Sequence, residues 1–342
     1  MEQRQLSSLT ATRGFAAMMV VIFHFGLNCY PFNEMQRFFS KGNLAVSYFF
    51  TLSGFIMCYT YVNKEISFTS FLRKRIARIV PVYMLGILLM IAFACYNLRF
   101  NNVALPKDYV TDILLNIGLL QAYIPEHAIS VNSPGWSLSV EMFFYLLFPL
   151  LLVLFRKNGK AFFVAAIIFY MLSQISHLWL LERYHPEYET KLHEFIYYFP
   201  LNHLNEFVLG MAGYYMMQQY PNIAKYALPL VMIVIISFAL VYVPWSKHNG
   251  LLSPLFVLFI VGLATRKNSF LGNNVLTYFG EISYSLYILQ MPVYLILLEI
   301  NKHTLNLGDN KFFYSAIAIL LLVSSLCYRF IEQPLRKRIS GS

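Results

Sequence analysis

Charge is scarce in this chain. Of its 342 residues, 12% are Asp, Glu, Lys or Arg, against 58% that are hydrophobic and 17% that are aromatic. With a mean hydropathy of +0.56, that balance excludes a soluble protein. Cysteine is scarce too, and Cys29, Cys58, Cys95 and Cys327 are scattered without metal-site spacing, so no metal is expected. A Cys29–Cys95 disulfide is conceivable on one membrane face, but free buried thiols are the plainer expectation. The alternating ten-residue segments of a membrane β-barrel are missing. No cleavable leader is expected, because the first apolar run follows a polar start and lacks a small-residue cleavage site. No internal repeat is visible, and no soluble domain is expected within 1–342, which reads as one membrane domain. The longest stretch between spans, 98–133, is apolar in its middle, so it is expected to re-enter the membrane or lie on its outer surface.

What the chain does have is long apolar runs from end to end. Their length and periodicity suggest an all-α, polytopic integral membrane protein of about ten transmembrane helices. The spans fall near 10–28, 43–62, 79–97, 134–155, 161–181, 200–218, 226–243, 251–265, 272–298 and 312–331. With both termini cytoplasmic, sixteen Lys and Arg fall inside, Lys225 and Lys267 among them, and nine outside, Lys247 included. That is the asymmetry of the positive-inside rule. The formal net charge of +10 is thus mostly a topology signal, with a weaker contribution from anionic lipid headgroups. It is not a nucleic-acid interface, and no nucleic-acid partner is expected.

Against this apolar background a few ionisable residues stand out, since such a residue inside a span is costly and marks function by default. Arg13 and His24 lie eleven positions apart in the first span. Eleven residues make about three turns, so both share one helix face roughly 16 Å apart along the axis. Arg73, Lys74, Arg75 and Arg78 crowd the start of the third span. Arg75 and Arg78, at i and i+3, face one way and suit a phosphate-rich ligand, although inside-positive anchoring explains the charge equally well. In Trp136-Ser137-Leu138-Ser139-Val140-Glu141, Trp136 suits the outer interface. Glu141 lies about 7 Å deeper, at the depth expected for His24, so a His24–Glu141 pair is a plausible general base with its orienting group. Glu141 as a mere helix tie is the bland alternative. Ser53 and Gly54 permit close helix packing. His203 and Glu206 are i and i+3, and either bind an acceptor or only pair with each other. Gln290 and the hydroxyls before it suit a polar cavity. The other histidines, His127, His177, His185, His193, His248 and His303, form no pattern and receive no role.

Six segments in order also carry a resemblance. These are Thr12-Arg13-Gly14 through His24, Phe49 to Phe55, Arg75-x-x-Arg78 with Pro81 and Tyr83, Trp136 to Glu141 with Pro149, Gly280 to Tyr287, and Glu332-Gln333-Pro334. Together they resemble the acyltransferase-3 family of membrane O-acyltransferases over nearly the whole chain. The resemblance implies roughly ten spans and transfer of an acyl group, commonly acetyl, from acyl-CoA to a hydroxyl of a cell-surface glycan or lipid-linked sugar. By the same resemblance His24 is the essential histidine, Arg13 the first-span arginine and Arg75 with Arg78 the pair linked to the donor. Trp136 and Glu141 match the family's W-S-L-S-x-E motif, whereas Gln290 stands where many relatives have histidine.

The expectation is therefore a multi-pass O-acetyltransferase of the inner membrane, with acetyl-CoA as donor substrate and no permanently bound cofactor. His24 is the expected base, Glu141 and Arg13 its catalytic support, Arg75 and Arg78 the donor contacts, and Trp136 with Ser137 the acceptor contacts. Arg13 is also considered for stabilising the developing oxyanion. A polytopic exporter of a glycolipid or small anion is the rival reading, using Arg13, His24, Glu141 and Glu206 as a relay. A scaffold subunit of a polysaccharide assembly complex is the third.

Overall fold

The computed structural model describes residues 2–184, 190–222, 250–266 and 270–340. Among them the chain is helical, without strands. Seven helices are long and apolar enough to cross a membrane: Ser7–Phe25, Leu44–Tyr61, Phe68–Phe100, Ser133–Lys157, Gly159–Tyr184, Ser283–Leu305 and Asp309–Ile339. The molecule is a multi-pass membrane protein. Two further expected spans are shorter helices, Leu204–Gln219 and Ser253–Ala264. The expected span 226–243 lies outside the described residues, as do His185, His248, Lys225, Lys247 and Lys267.

Two boundaries differ from the apolar pattern. The third span starts at Phe68 and runs 33 residues, carrying the basic cluster on the helix itself with Pro81 inside. The single expected span over 272–298 is two helices, Asn274–Glu281 and Ser283–Ile300. Asn273 caps the first of them, its side-chain oxygen accepting from the Leu276 N–H at 2.9 Å. The break at Ile282 follows Gly280, which lies so close to the Thr10 carbonyl that any Cβ there would overlap it. The short helix is thereby pinned against the first helix, and the chain must turn before it can continue.

Glycine also sets the tightest long-helix contact. A Cβ on Gly54 would overlap the Phe207 carbonyl, and one on Gly210 the Thr51 carbonyl. The Leu44–Tyr61 and Leu204–Gln219 helices therefore touch backbone to backbone, as Gly54 suggested and as small residues permit. Arg156 closes the end of the Leu44–Tyr61 helix by donating to the carbonyls of Tyr61 at 2.7 Å, Val62 at 2.9 Å and Lys64. Carbonyls at and just past a helix end lack the N–H partners that the next turn would supply. All four cysteines are free, three of them buried and Cys95 exposed.

The 98–133 stretch holds a short helix, Tyr109–Ile117, followed by 3-10 turns at Gln121–Tyr123, Pro125–His127 and Ser133–Gly135. Its amphipathicity is inverted. Asp112, Asn116 and Gln121 are buried, while Val110 and Leu114 are 71% and 64% exposed. Inside, Tyr83 donates to Asn116 Oδ1 at 3.0 Å and Gln121 Nε2 donates to the Tyr83 hydroxyl at 2.9 Å and the Gly135 carbonyl at 2.9 Å. Polar groups thus tie this segment to the helices while its apolar side faces outward, the orientation suited to a lipid surface.

Candidate active site

A cavity of about 400 Å³ lies between the first helix, the Leu44–Tyr61, Phe68–Phe100 and Trp136–Lys157 helices, and the chain end around Tyr328–Arg336. Arg13, Arg75, Arg78 and Arg336 line it together with Glu141, Glu281 and Glu332. Cations outnumber carboxylates, so the cavity favours an anionic ligand.

The basic cluster divides in two. Arg73 and Lys74 are exposed, while Arg75 and Arg78 turn into the cavity. Arg75 is held in place: its guanidinium donates to the Tyr61 hydroxyl at 2.8 Å and lies 5.4, 5.5 and 5.8 Å from the ring centres of Tyr61, Phe71 and Tyr145. Its buried Nε makes no hydrogen bond among the described residues. A planar cation stacked on rings with a donor to spare is preorganised for phosphate.

Glu141 lines this cavity and accepts from the Tyr145 hydroxyl at 3.2 Å. The expected pairing with His24 is therefore corrected. The depth estimate took Trp136 to sit at the interface, but Trp136 is buried against Phe50, Tyr198 and His203, with ring centres 6.0, 5.0 and 5.2 Å away. Counting inward from a buried tryptophan puts Glu141 among the arginines. Trp136 does not line the cavity, whereas Ser137 does, its hydroxyl donating to the Pro134 carbonyl at 3.0 Å.

His24 stands at the other end of the first helix, exposed, and its Nδ1 is 3.0 Å from Gln290 Oε1. Arg13 is in the cavity about 16 Å away along the axis, and helical side chains lean towards the N-terminus. Arg13 thus shares the cavity wall with Arg75, Arg78 and Arg336, at the far end of the helix from His24. The cavity extends to Phe49 and Tyr287, whose rings meet edge to face at 5.9 Å. Tyr287 is about one turn from Gln290, which holds His24, so this end of the cavity lies towards the histidine.

His203 and Glu206 pair with each other. Nδ1 lies 3.0 Å from Glu206 Oε1 and Nε2 lies 2.8 Å from the Tyr197 carbonyl. Both side chains are buried outside the cavity lining. The carbonyl requires a hydrogen on Nε2, so imidazole and carboxyl hold one further proton between them, as an ion pair or as two neutral groups. Either way their charges offset each other, so of the two expected readings the structure shows the pairing with each other.

Tyr287 joins the cavity as the expected row of hydroxyls before Gln290 suggested, whereas Arg336, Tyr145 and Glu332 were not expected as cavity residues. Glu332 is buried and accepts from Ser285 Oγ at 3.1 Å. The signal for it was a carboxylate at the end of the last apolar run, followed four residues later by Arg336. Among the described residues no group of three His, Cys, Asp or Glu side chains is placed to hold a metal.

A family model described as an acyltransferase domain matches residues 6–329. The chain belongs to the acyltransferase-3 family. Acyltransferase MdmB of Streptomyces mycarofaciens is 36% identical over 163 residues, covering 45% of this chain and 41% of that protein. O-acetyltransferase OatA of Staphylococcus aureus (strain NCTC 8325 / PS 47) is 27% identical over 368 residues, covering 98% of this chain and 58% of that protein. The chain thus spans about half the length of these curated relatives. No solved structure matches. Within the acyltransferase-3 domain the matched region takes in the whole cavity wall except Glu332 and Arg336.

Proposed function

We propose that this chain is an O-acyltransferase of the cytoplasmic membrane that moves an acyl group, acetyl foremost, from acyl-CoA to a hydroxyl of a glycan or lipid-linked sugar. The observation that carries the reading is the convergence of Arg13, Arg75 and Arg78 on one cavity, with the exposed His24 three turns further along the helix that bears Arg13. Family membership and a relative named as an O-acetyltransferase support it.

In this reading the CoA phosphates meet Arg75, Arg78 and Arg336, which the positive-inside rule puts on the cytoplasmic side. The pantetheine arm runs up the cavity past Arg13 to the Phe49–Tyr287 pair, towards His24. The imidazole takes the proton of the acceptor hydroxyl as its oxygen attacks the thioester carbonyl carbon. Collapse of the tetrahedral intermediate breaks the C–S bond, and the same proton returns to the thiolate sulfur. General base catalysis of this kind contributes about 10²–10⁴-fold. Glu141 is the counter-ion that keeps the arginine cluster from repelling itself open.

The test is transfer of label from acetyl-CoA in membranes carrying the native protein or His24→Ala, with total envelope glycan as acceptor. Labelled glycan with the native protein, lost with His24→Ala at equal expression, is the expected result. Labelling that survives His24→Ala overturns the role of the histidine. An acceptor that crosses the membrane chemically unchanged favours the exporter.

A further inference from the structure

Gln290 is fully buried and makes two hydrogen bonds that cannot be exchanged for one another. Its Nε2 donates to the Tyr287 carbonyl at 2.8 Å, one turn back on its own helix. A carbonyl oxygen only accepts, so the amide must turn its NH₂ that way and its oxygen the other way. That oxygen is the atom 3.0 Å from His24 Nδ1. Since an amide oxygen also only accepts, the hydrogen between them sits on Nδ1, and in a neutral imidazole the Nε2 lone pair is then unprotonated.

We propose that Gln290 is a positioning residue that holds His24 as its Nδ1–H tautomer, so that Nε2 is the atom which takes the acceptor's proton. The assignment of a tautomer stands on the hydrogen bonds alone; its catalytic meaning rests on the reading of His24 as the base. Nε2 receives the hydroxyl proton as the acceptor oxygen bonds to the carbonyl carbon, and returns it to the thiolate sulfur as the C–S bond breaks. The imidazole ends neutral, with Nδ1–H still on Gln290.

The ring is aimed as well as protonated. Phe23 and Phe25 flank it at 5.2 and 5.7 Å, and Phe25 stacks on Tyr294 at 3.8 Å, four residues beyond Gln290. The first helix and the Ser283–Ile300 helix are therefore joined at two successive contacts. Because Phe25–Tyr294 already ties the helices together, the amide is free to serve proton placement rather than adhesion. A neutral amide orients the imidazole without supplying a counter-charge, which distinguishes this pair from His203 with Glu206.

The test uses the full-length protein labelled with ¹⁵N at histidine, with the His24 signals assigned by their loss in His24→Ala. The expected native spectrum has a protonated Nδ1 and an unprotonated Nε2. Gln290→Met keeps the length and burial of the side chain but removes the acceptor. It is expected to mix the tautomers and lower kcat about 10-fold or more, with the KM for acetyl-CoA unchanged. Gln290→Glu, held as a neutral carboxyl whose hydroxyl donates to the Tyr287 carbonyl, keeps the acceptor for Nδ1–H and is expected to restore that signal and most of kcat. A native His24 protonated at Nε2, or a Gln290→Met protein with native kcat and native ¹⁵N pattern, overturns the proposal. If instead the tautomer behaves as expected while His24→Ala transfers acetyl normally, the positioning stands and the general-base reading fails.

Discussion

Glu141 and Glu206 are both carboxylates placed within apolar helices, and both had a claim to chemistry. Their surroundings separate them. Glu141 opens on a cavity with Arg13, Arg75 and Arg78 around it, while Glu206 is closed off and neutralised by His203 at 3.0 Å. Of these two carboxylates, the one on the cavity wall is the candidate for function, while the other is held by a histidine on its own stretch of chain.

That contrast predicts different losses. The largest belongs to the open site. Arg75→Ala with Arg78→Ala removes two charge-assisted contacts of about 1.5–3 kcal/mol each, so acetyl-CoA affinity is expected to fall about 10²–10⁴-fold. Because phosphate contacts are screened, the native affinity should also weaken as salt rises, and the double variant, left with Arg13 and Arg336, should show a shallower dependence. Unchanged affinity in an equilibrium binding assay would remove the donor site from this cavity.

At the closed site the loss is of stability. Glu206→Ala leaves His203 buried without its partner and is expected to cost about 3–5 kcal/mol, read as earlier unfolding in a thermal melt in detergent. The folded fraction should bind acetyl-CoA like the native protein. Weaker binding in a protein that melts normally would place the pair in the machinery after all.

Glu141→Gln should do the converse and on a smaller scale. The fold survives, the arginines lose a counter-ion, and transfer falls about 10-fold, equivalent to roughly 1.4 kcal/mol. Arg75→Lys is expected to lose a similar factor in affinity, because a lysine has no planar fork to stack on Tyr61, Phe71 and Tyr145.

The smallest effect is expected from the exposed Lys191–Glu126 pair. The hydrogen bond from Lys191 holds the Glu126 carboxyl below the usual carboxylate range. Any contribution from it is therefore present at neutral pH and lost as the pH falls through that lowered value. Exposed pairs add little, so Lys191→Ala should leave both melt and transfer unchanged.

Much of the frame was legible because long apolar runs must be helical in a membrane. Arg13, His24, Arg75 and Arg78 were legible for the same reason, as charges that apolar segments cannot carry casually. The break at Ile282 was hidden, since the close approach of Gly280 to Thr10 depends on a helix 270 residues away. The His24–Glu141 pairing failed because depth was counted from a tryptophan taken as interfacial. That Glu332 and Arg336 reach the cavity was not legible, because they lie beyond the last apolar run, where helix Asp309–Cys327 continues through a π-turn into Gln333–Ser340. Gln290 as the partner of His24 is a contact between distant segments that no local spacing encodes.

In the proposed mechanism donor binding, at Arg75 and Arg78 on the third span, is separate from chemistry, at His24 on the first. The most direct test is to measure acetyl-CoA binding and acetyl transfer side by side for purified native protein, His24→Ala and the Arg75→Ala, Arg78→Ala double variant. The account predicts that His24→Ala binds donor with native affinity and transfers nothing, while the double variant binds about 10²–10⁴-fold more weakly. Loss of donor binding in His24→Ala, or native binding in the arginine variant, would contradict it.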